Sequence, residues 1–156
     1  MIKVIGLLLI SILSFSVNAK KYVYESLGQP ILGIDIENEV FMIGDAVGQL
    51  KSCELKELEL CLQIGKTFIV IPDNHKAPLK VQLSGSSELV FLPIMKSMSV
   101  LGNNIEGFEV NIHNVKDRTL ESSLFFNSEY GLLMFSFDGI IYWSASVRGL
   151  ASRVKD

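Results

Sequence analysis

Two apolar, β-rich runs, LLMFSF and IIYWS, flank the dipeptide Asp138-Gly139, and this short pattern restricts the fold of the chain more than any other. Asp and Gly both tolerate the positive φ of a type I′ turn, so the pair reads as a two-residue β-hairpin loop. A loop that short also fixes which residues meet. Phe137 should face Ile140, Ser136 Ile141, Phe135 Tyr142, and Met134 Trp143. Aromatic and branched cross-strand pairs of this kind contribute roughly 0.2–1 kcal/mol each. A third strand, about Leu120 to Phe126, enters through the polar turn Asn127-Ser128-Glu129, and the resulting meander is expected in the middle of the fold.

Similar signals recur upstream. Lys21 to Ser26 alternates tyrosines with valine, and Gly28-Gln29-Pro30 breaks it. Ile31 to Ile43 reads as one half-buried strand, with Ile34 and Ile36 on one face and Asp35, Glu37 and Glu39 on the other. Val47–Cys53 and Leu58–Ile64 read as two hairpin arms, and Thr67–Ile71 as a buried strand ahead of a Pro72–Pro78 loop. Short strands follow over Leu79–Leu83 and Glu88–Leu92, interrupted by Pro93, then Ile94–Leu101. A turn at Gly102-Asn103-Asn104 leads into Phe108–Ile112. In the tail, Val147, Leu150, Ala151 and Val154 recur at helical spacing around Gly149, which predicts a short C-terminal helix. About ten short strands at near-regular spacing predict an all-β fold, a mainly antiparallel barrel or sandwich.

The N-terminal segment Met1–Ala19 has a lysine near its start, an apolar stretch of about a dozen residues and a Val-Asn-Ala ending. That is the pattern of a secretory signal peptide, and a membrane-spanning helix needs about 20 apolar residues. The expected mature chain is one domain over 20–156, periplasmic or secreted, with 13 basic against 17 acidic residues. A mildly acidic chain without a basic patch lacks the footprint of a nucleic-acid binder, and no later apolar run is long enough to span a membrane. The two cysteines, Cys53 and Cys61, are expected to form a disulfide in an oxidising compartment. Eight residues on a helix rise about 12 Å, beyond the reach of a disulfide, so the bridge requires a hairpin turning near Lys56-Glu57.

Chemistry-bearing residues are few. Asp35, Glu37 and Glu39 could hold a hard cation, but the segment lacks the positions of a calcium loop and reads better as a solvated face. His75, on the Pro72–Pro78 loop, and His113, at a strand end, are too few for a zinc site and read as exposed or capped imidazoles. Ser84, Ser86 and Ser87 surround Gly85 in a turn with no nucleophile elbow; insertion into a partner's cleft is the functional alternative to a plain hairpin turn. Tyr142 and Trp143 point to opposite faces of a strand, one of them toward the core. No catalytic, cofactor-binding or metal-binding constellation emerges. The expectation is an exported, non-catalytic binding module for a protein partner or a small apolar molecule. The rival is a secreted hydrolase-type enzyme whose site forms only in three dimensions, around His75, His113 and a carboxylate.

Overall fold

A computed structural model describes residues 21–153, all of it strands, turns and loops; the proposed leader, residues 1–19, lies outside the described residues. Thirteen strands run β1 (Lys21–Glu25), β2 (Leu32–Asp35), β3 (Val40–Ile43), β4 (Ala46–Gln49), β5 (Lys51–Ser52), β6 (Leu58–Ile64), β7 (Thr67–Pro72), β8 (Leu79–Gln82), β9 (Ser87–Val100), β10 (Asn103–Asn114), β11 (Leu120–Asn127), β12 (Gly131–Phe137) and β13 (Ile140–Ser144). Ten of them form one antiparallel sheet in the order β4-β3-β2-β1-β13-β12-β11-β10-β9-β8, and β5-β6-β7 form a small second sheet. The fold is therefore all-β and sandwich-like, with the meander β11-β12-β13 in the middle of the large sheet.

The meander follows from its turn. Asp138 and Gly139 take φ of 48° and 77°, and β12 and β13 pair Phe137 with Ile140, Ser136 with Ile141, Phe135 with Tyr142 and Met134 with Trp143. The small sheet covers the inner face of the large one. Its apolar strand β7, buried from Phe68 onward, contacts β10, β11 and β12. Leu62, Ile64, Ile69 and Ile71 pack with Tyr24, Ile34, Phe91, Ile112, Phe126, Phe135 and Tyr142 in the main core. The rings interlock, Tyr24 edge-on to Phe135 at 4.9 Å and Phe135 stacked on Tyr142 at 6.1 Å.

A second, smaller core lies elsewhere on the sheet. β9 and β10 outrun their neighbours: β8 pairs only up to Phe91, and β11 only from Phe108. The free two-stranded arm turns at Leu101-Gly102 (φ 49° and 78°) and packs Met98, Val100 and Ile105 against Phe125, Tyr130, Leu133 and Met134. Gly107 permits the close approach, since a Cβ there would lie 2.7 Å from the Phe125 ring. Asn127 fastens the arm by donating from Nδ2 to the Glu106 carbonyl at 2.8 Å.

Several expectations are corrected. Ile31–Ile43 is a hairpin, because Asp35 accepts from the Asn38 backbone N–H (3.1 Å) and side-chain amide (2.8 Å), and Glu39 adopts a left-handed φ of 53°. The Val47–Cys53 arm divides between sheets: β4 pairs with β3 and β5 with β6, with buried Leu50 at the crossing. Pro93 does not end its strand; Met95 faces Phe108 and Phe91 faces Val110, so Leu92–Ile94 form a bulge opposite Glu109. The turn after β9 is Leu101-Gly102 rather than Gly102-Asn103-Asn104. No helix forms in the described part of the tail. There Leu150 bridges Leu132 instead, Gly149 N–H donates to the Tyr130 carbonyl at 2.8 Å, and a Cβ on Gly149 would overlap the Leu132 carbonyl.

Candidate functional site

The sequence candidates are scattered. Asp35 is 8% exposed and committed to the Asn38 turn, whereas Glu37 and Glu39 are exposed, so the three carboxylates share no face. The Asn38 side-chain amide, with its backbone N–H, holds the Asp35 carboxyl below the ordinary carboxylate value. Among the described residues no group of three or more His, Cys, Asp or Glu side chains is placed to hold a metal ion.

The two histidines lie on opposite sides of the large sheet. His75 is not an exposed imidazole. Its ring packs on Phe126 (4.9 Å) and Phe108 (5.8 Å) of the main-core side. Its Nε2 lies 3.9 Å from Glu59, too far for a hydrogen bond, while Arg153 binds the other Glu59 oxygen at 2.7 Å. His113 sits with Lys80, Glu88, Asn114 and Arg118 on the outer face. There Glu88 is already paired to Lys80 at 3.1 Å. Neither histidine hydrogen-bonds a serine or another nucleophile among the described residues, so the parts of a nucleophile–base pair are not assembled.

The serine turn is self-contained. Ser84 Oγ accepts from the Ser87 N–H at 3.2 Å, and Ser87 is buried and donates to Glu121 at 2.7 Å. Tyr142 is in the core and Trp143, 36% exposed, faces outward. Cys53 and Cys61 are disulfide-bonded, with Cα atoms 5.2 Å apart and the chain turning between Leu55 and Leu58. The bridge joins the residue after β5 to the middle of β6.

A recess beside the β9–β10 arm was not foreseen. It measures about 750 Å³ and is lined by Met95, Asn103, Asn104, Ile105, Glu106, Asn127, Tyr130 and Val147. Other hollows include one of about 570 Å³ around His113 and one of about 150 Å³ around Leu92, Ile94 and Lys96. Four segments build the large recess: β9 at Met95, β10 at Asn103–Glu106, the end of β11 and the β11–β12 turn at Asn127 and Tyr130, and the tail at Val147. Asn127 is structural there, its Oδ1 accepting from the N–H groups of Glu129 (2.7 Å) and Tyr130 (2.8 Å). Asn104 accepts from Ser97 at 2.8 Å through Oδ1 and keeps its amide N–H groups. Among the described residues the Glu106 carboxylate and Tyr130 hydroxyl bond to nothing, and none of the lysines or arginines lines the recess. The sequence signal available for it was the pair Asn103-Asn104 next to an apolar alternation, which reads equally as a turn. No protein-family model, characterised protein or solved structure matches this chain.

Proposed function

We propose that the protein is an exported, non-catalytic binding module whose working surface is the recess beside the β9–β10 arm. One observation carries this reading: the recess presents the Glu106 carboxylate, the Tyr130 hydroxyl and the Asn104 amide N–H groups, which bond to nothing among the described residues, while the interior between the sheets is filled by interlocked aromatic and branched side chains. A filled interior favours recognition at the surface over a small apolar guest held inside. The disulfide is consistent with an oxidising compartment, and with the Met1–Ala19 pattern it supports export to the periplasm or beyond. The hydrolase alternative has less support, because His75 and His113 lie on opposite sides of the sheet without a nucleophile.

In-cell photo-crosslinking tests the reading. A benzophenone side chain at Met95 or Asn104 should give a covalent adduct in the envelope fraction, and one at Lys56, on the remote disulfide hairpin, should give none. Adducts of equal yield at all three positions, or none at the first two, would count against the recess.

A further inference from the structure

The recess has the chemistry of a site for a neutral, hydroxyl-bearing chain, and we propose that it binds an oligosaccharide; this rests on the recess being the working surface. Among the described residues no lysine or arginine lines it, so its described lining offers no positive charge to a phosphate or carboxylate. Its apolar side chains are Met95, Ile105 and Val147, and Ile105 is itself only 7% exposed. Its free polar groups are of the kinds that read vicinal hydroxyls. The Glu106 carboxylate accepts from two neighbouring hydroxyls at once. Asn103 and Asn104 each set a donor beside an acceptor, and the Tyr130 hydroxyl does both. Among the described residues one contact competes for these groups strongly, the Ser97 hydroxyl on Asn104 Oδ1; Asn103 Nδ2 reaches the Leu101 carbonyl at a long 3.4 Å.

The geometry favours a sugar over an extended peptide. A peptide adding to the arm as an extra strand needs free backbone groups along one edge. On the β10 side, Asn127 already occupies the Glu106 carbonyl at 2.8 Å. On the β9 side, the Leu92–Ile94 bulge breaks the edge and Pro93 lacks an N–H. Side-chain recognition of hydroxyls needs neither edge.

The test is titration of the mature, disulfide-bonded protein with three neutral tetrasaccharides, chitotetraose, maltotetraose and cellotetraose, followed by calorimetry and by amide NMR. At least one should bind with a Kd below about 5 mM and shift the Asn103 and Asn104 side-chain amide signals. Glu106→Gln and Asn104→Ala should each weaken it about tenfold or more while the melting temperature stays with the parent. Tyr130→Phe keeps the ring in the small core and should weaken binding several-fold. Absence of binding by all three sugars at 10 mM overturns the proposal, as does binding that ignores Glu106→Gln and Asn104→Ala, or shifts centred on Trp143. A neutral extended peptide that shifts the arm where no sugar does overturns it in favour of strand addition. If Met95 and Asn104 still crosslink in cells when the sugars fail, the saccharide assignment falls alone and the binding surface stands.

Discussion

The Leu150 N–H donates to the hydroxyl oxygen of Tyr24 at 2.9 Å, across 126 residues of chain, and the same hydroxyl donates to the Leu132 carbonyl at 3.0 Å. One fully buried phenol thus joins the first strand, the meander and the tail. Burial pushes the ionisation of this phenol well above its ordinary value, more than the Leu150 hydrogen bond lowers it, so the hydroxyl stays a donor at any pH near neutral. Tyr24→Phe keeps the ring against Phe135 but strands a buried N–H and a buried C=O. The expected loss is about 2–3 kcal/mol, seen in a urea melt as a lower midpoint at unchanged slope.

The Asp138-Gly139 turn gives a second test. A Cβ on Gly139 would meet nothing within 4 Å, so Gly139→Val is penalised by backbone strain alone, at φ 77°. That should amount to about 1–3 kcal/mol, and a β-branched residue belongs at the upper end. Asn103→Ser removes only the long contact to the Leu101 carbonyl and should melt within about a degree of the parent. Thermal melts of the two variants rank them.

Gly149→Ala separates the structure from the sequence reading directly. In a helical tail the change would stabilise by about 1 kcal/mol. Here the added methyl overlaps the Leu132 carbonyl, so the variant should lose roughly 2 kcal/mol or more and loosen the tail. Hydrogen exchange at the Leu150 amide, faster in the variant, locates the damage.

These cases show what kind of information the sequence carries. The register of β12 and β13 was legible because a two-residue loop leaves the pairing no freedom. β7 was legible because its apolar run is unbroken. The β2–β3 hairpin was hidden, since the Ile-Asp-Ile-Glu alternation continues straight through a turn that contains no glycine and is held by the Asp35 side chain. The tail misled because Gly149 and Leu150 answer to Tyr24 and Leu132, partners that local periodicity cannot reveal. The recess was out of reach for the same reason: Met95, Glu106, Tyr130 and Val147 converge only when the arm folds back.

The disulfide predicts a chemical result. Thiol labelling of denatured, unreduced protein should find neither Cys53 nor Cys61, and both after reduction. Cys53→Ser with Cys61→Ser should cost about 2.5 kcal/mol, the loop entropy of so short a ring. Free thiols in protein purified without reductant would contradict the pairing.

Acid stability follows from Asp35. Its carboxyl titrates below the unfolded value of about 3.9, so its contribution is present above that value and fades as pH falls through the lower folded one. Asp35→Asn should therefore be less stable than the parent at pH 6, and the gap should narrow toward pH 2. A gap that stays constant over that range would show that the charge plays no part.

The position of β1 between β2 and β13 has a consequence for the order of assembly. Strands β1–β4 form one run of consecutive hairpins and β8–β13 another, and the register joining them is Tyr24 with Ser144 and Glu25 with Trp143. Each run can nucleate from neighbours close in sequence. The seam between them closes a loop of more than a hundred residues, an entropic cost of about 4 kcal/mol that only tertiary burial offsets. A chain delivered from its N-terminus must hold β1–β4 in waiting, with the edge of β1 bare, until β13 arrives to close the seam.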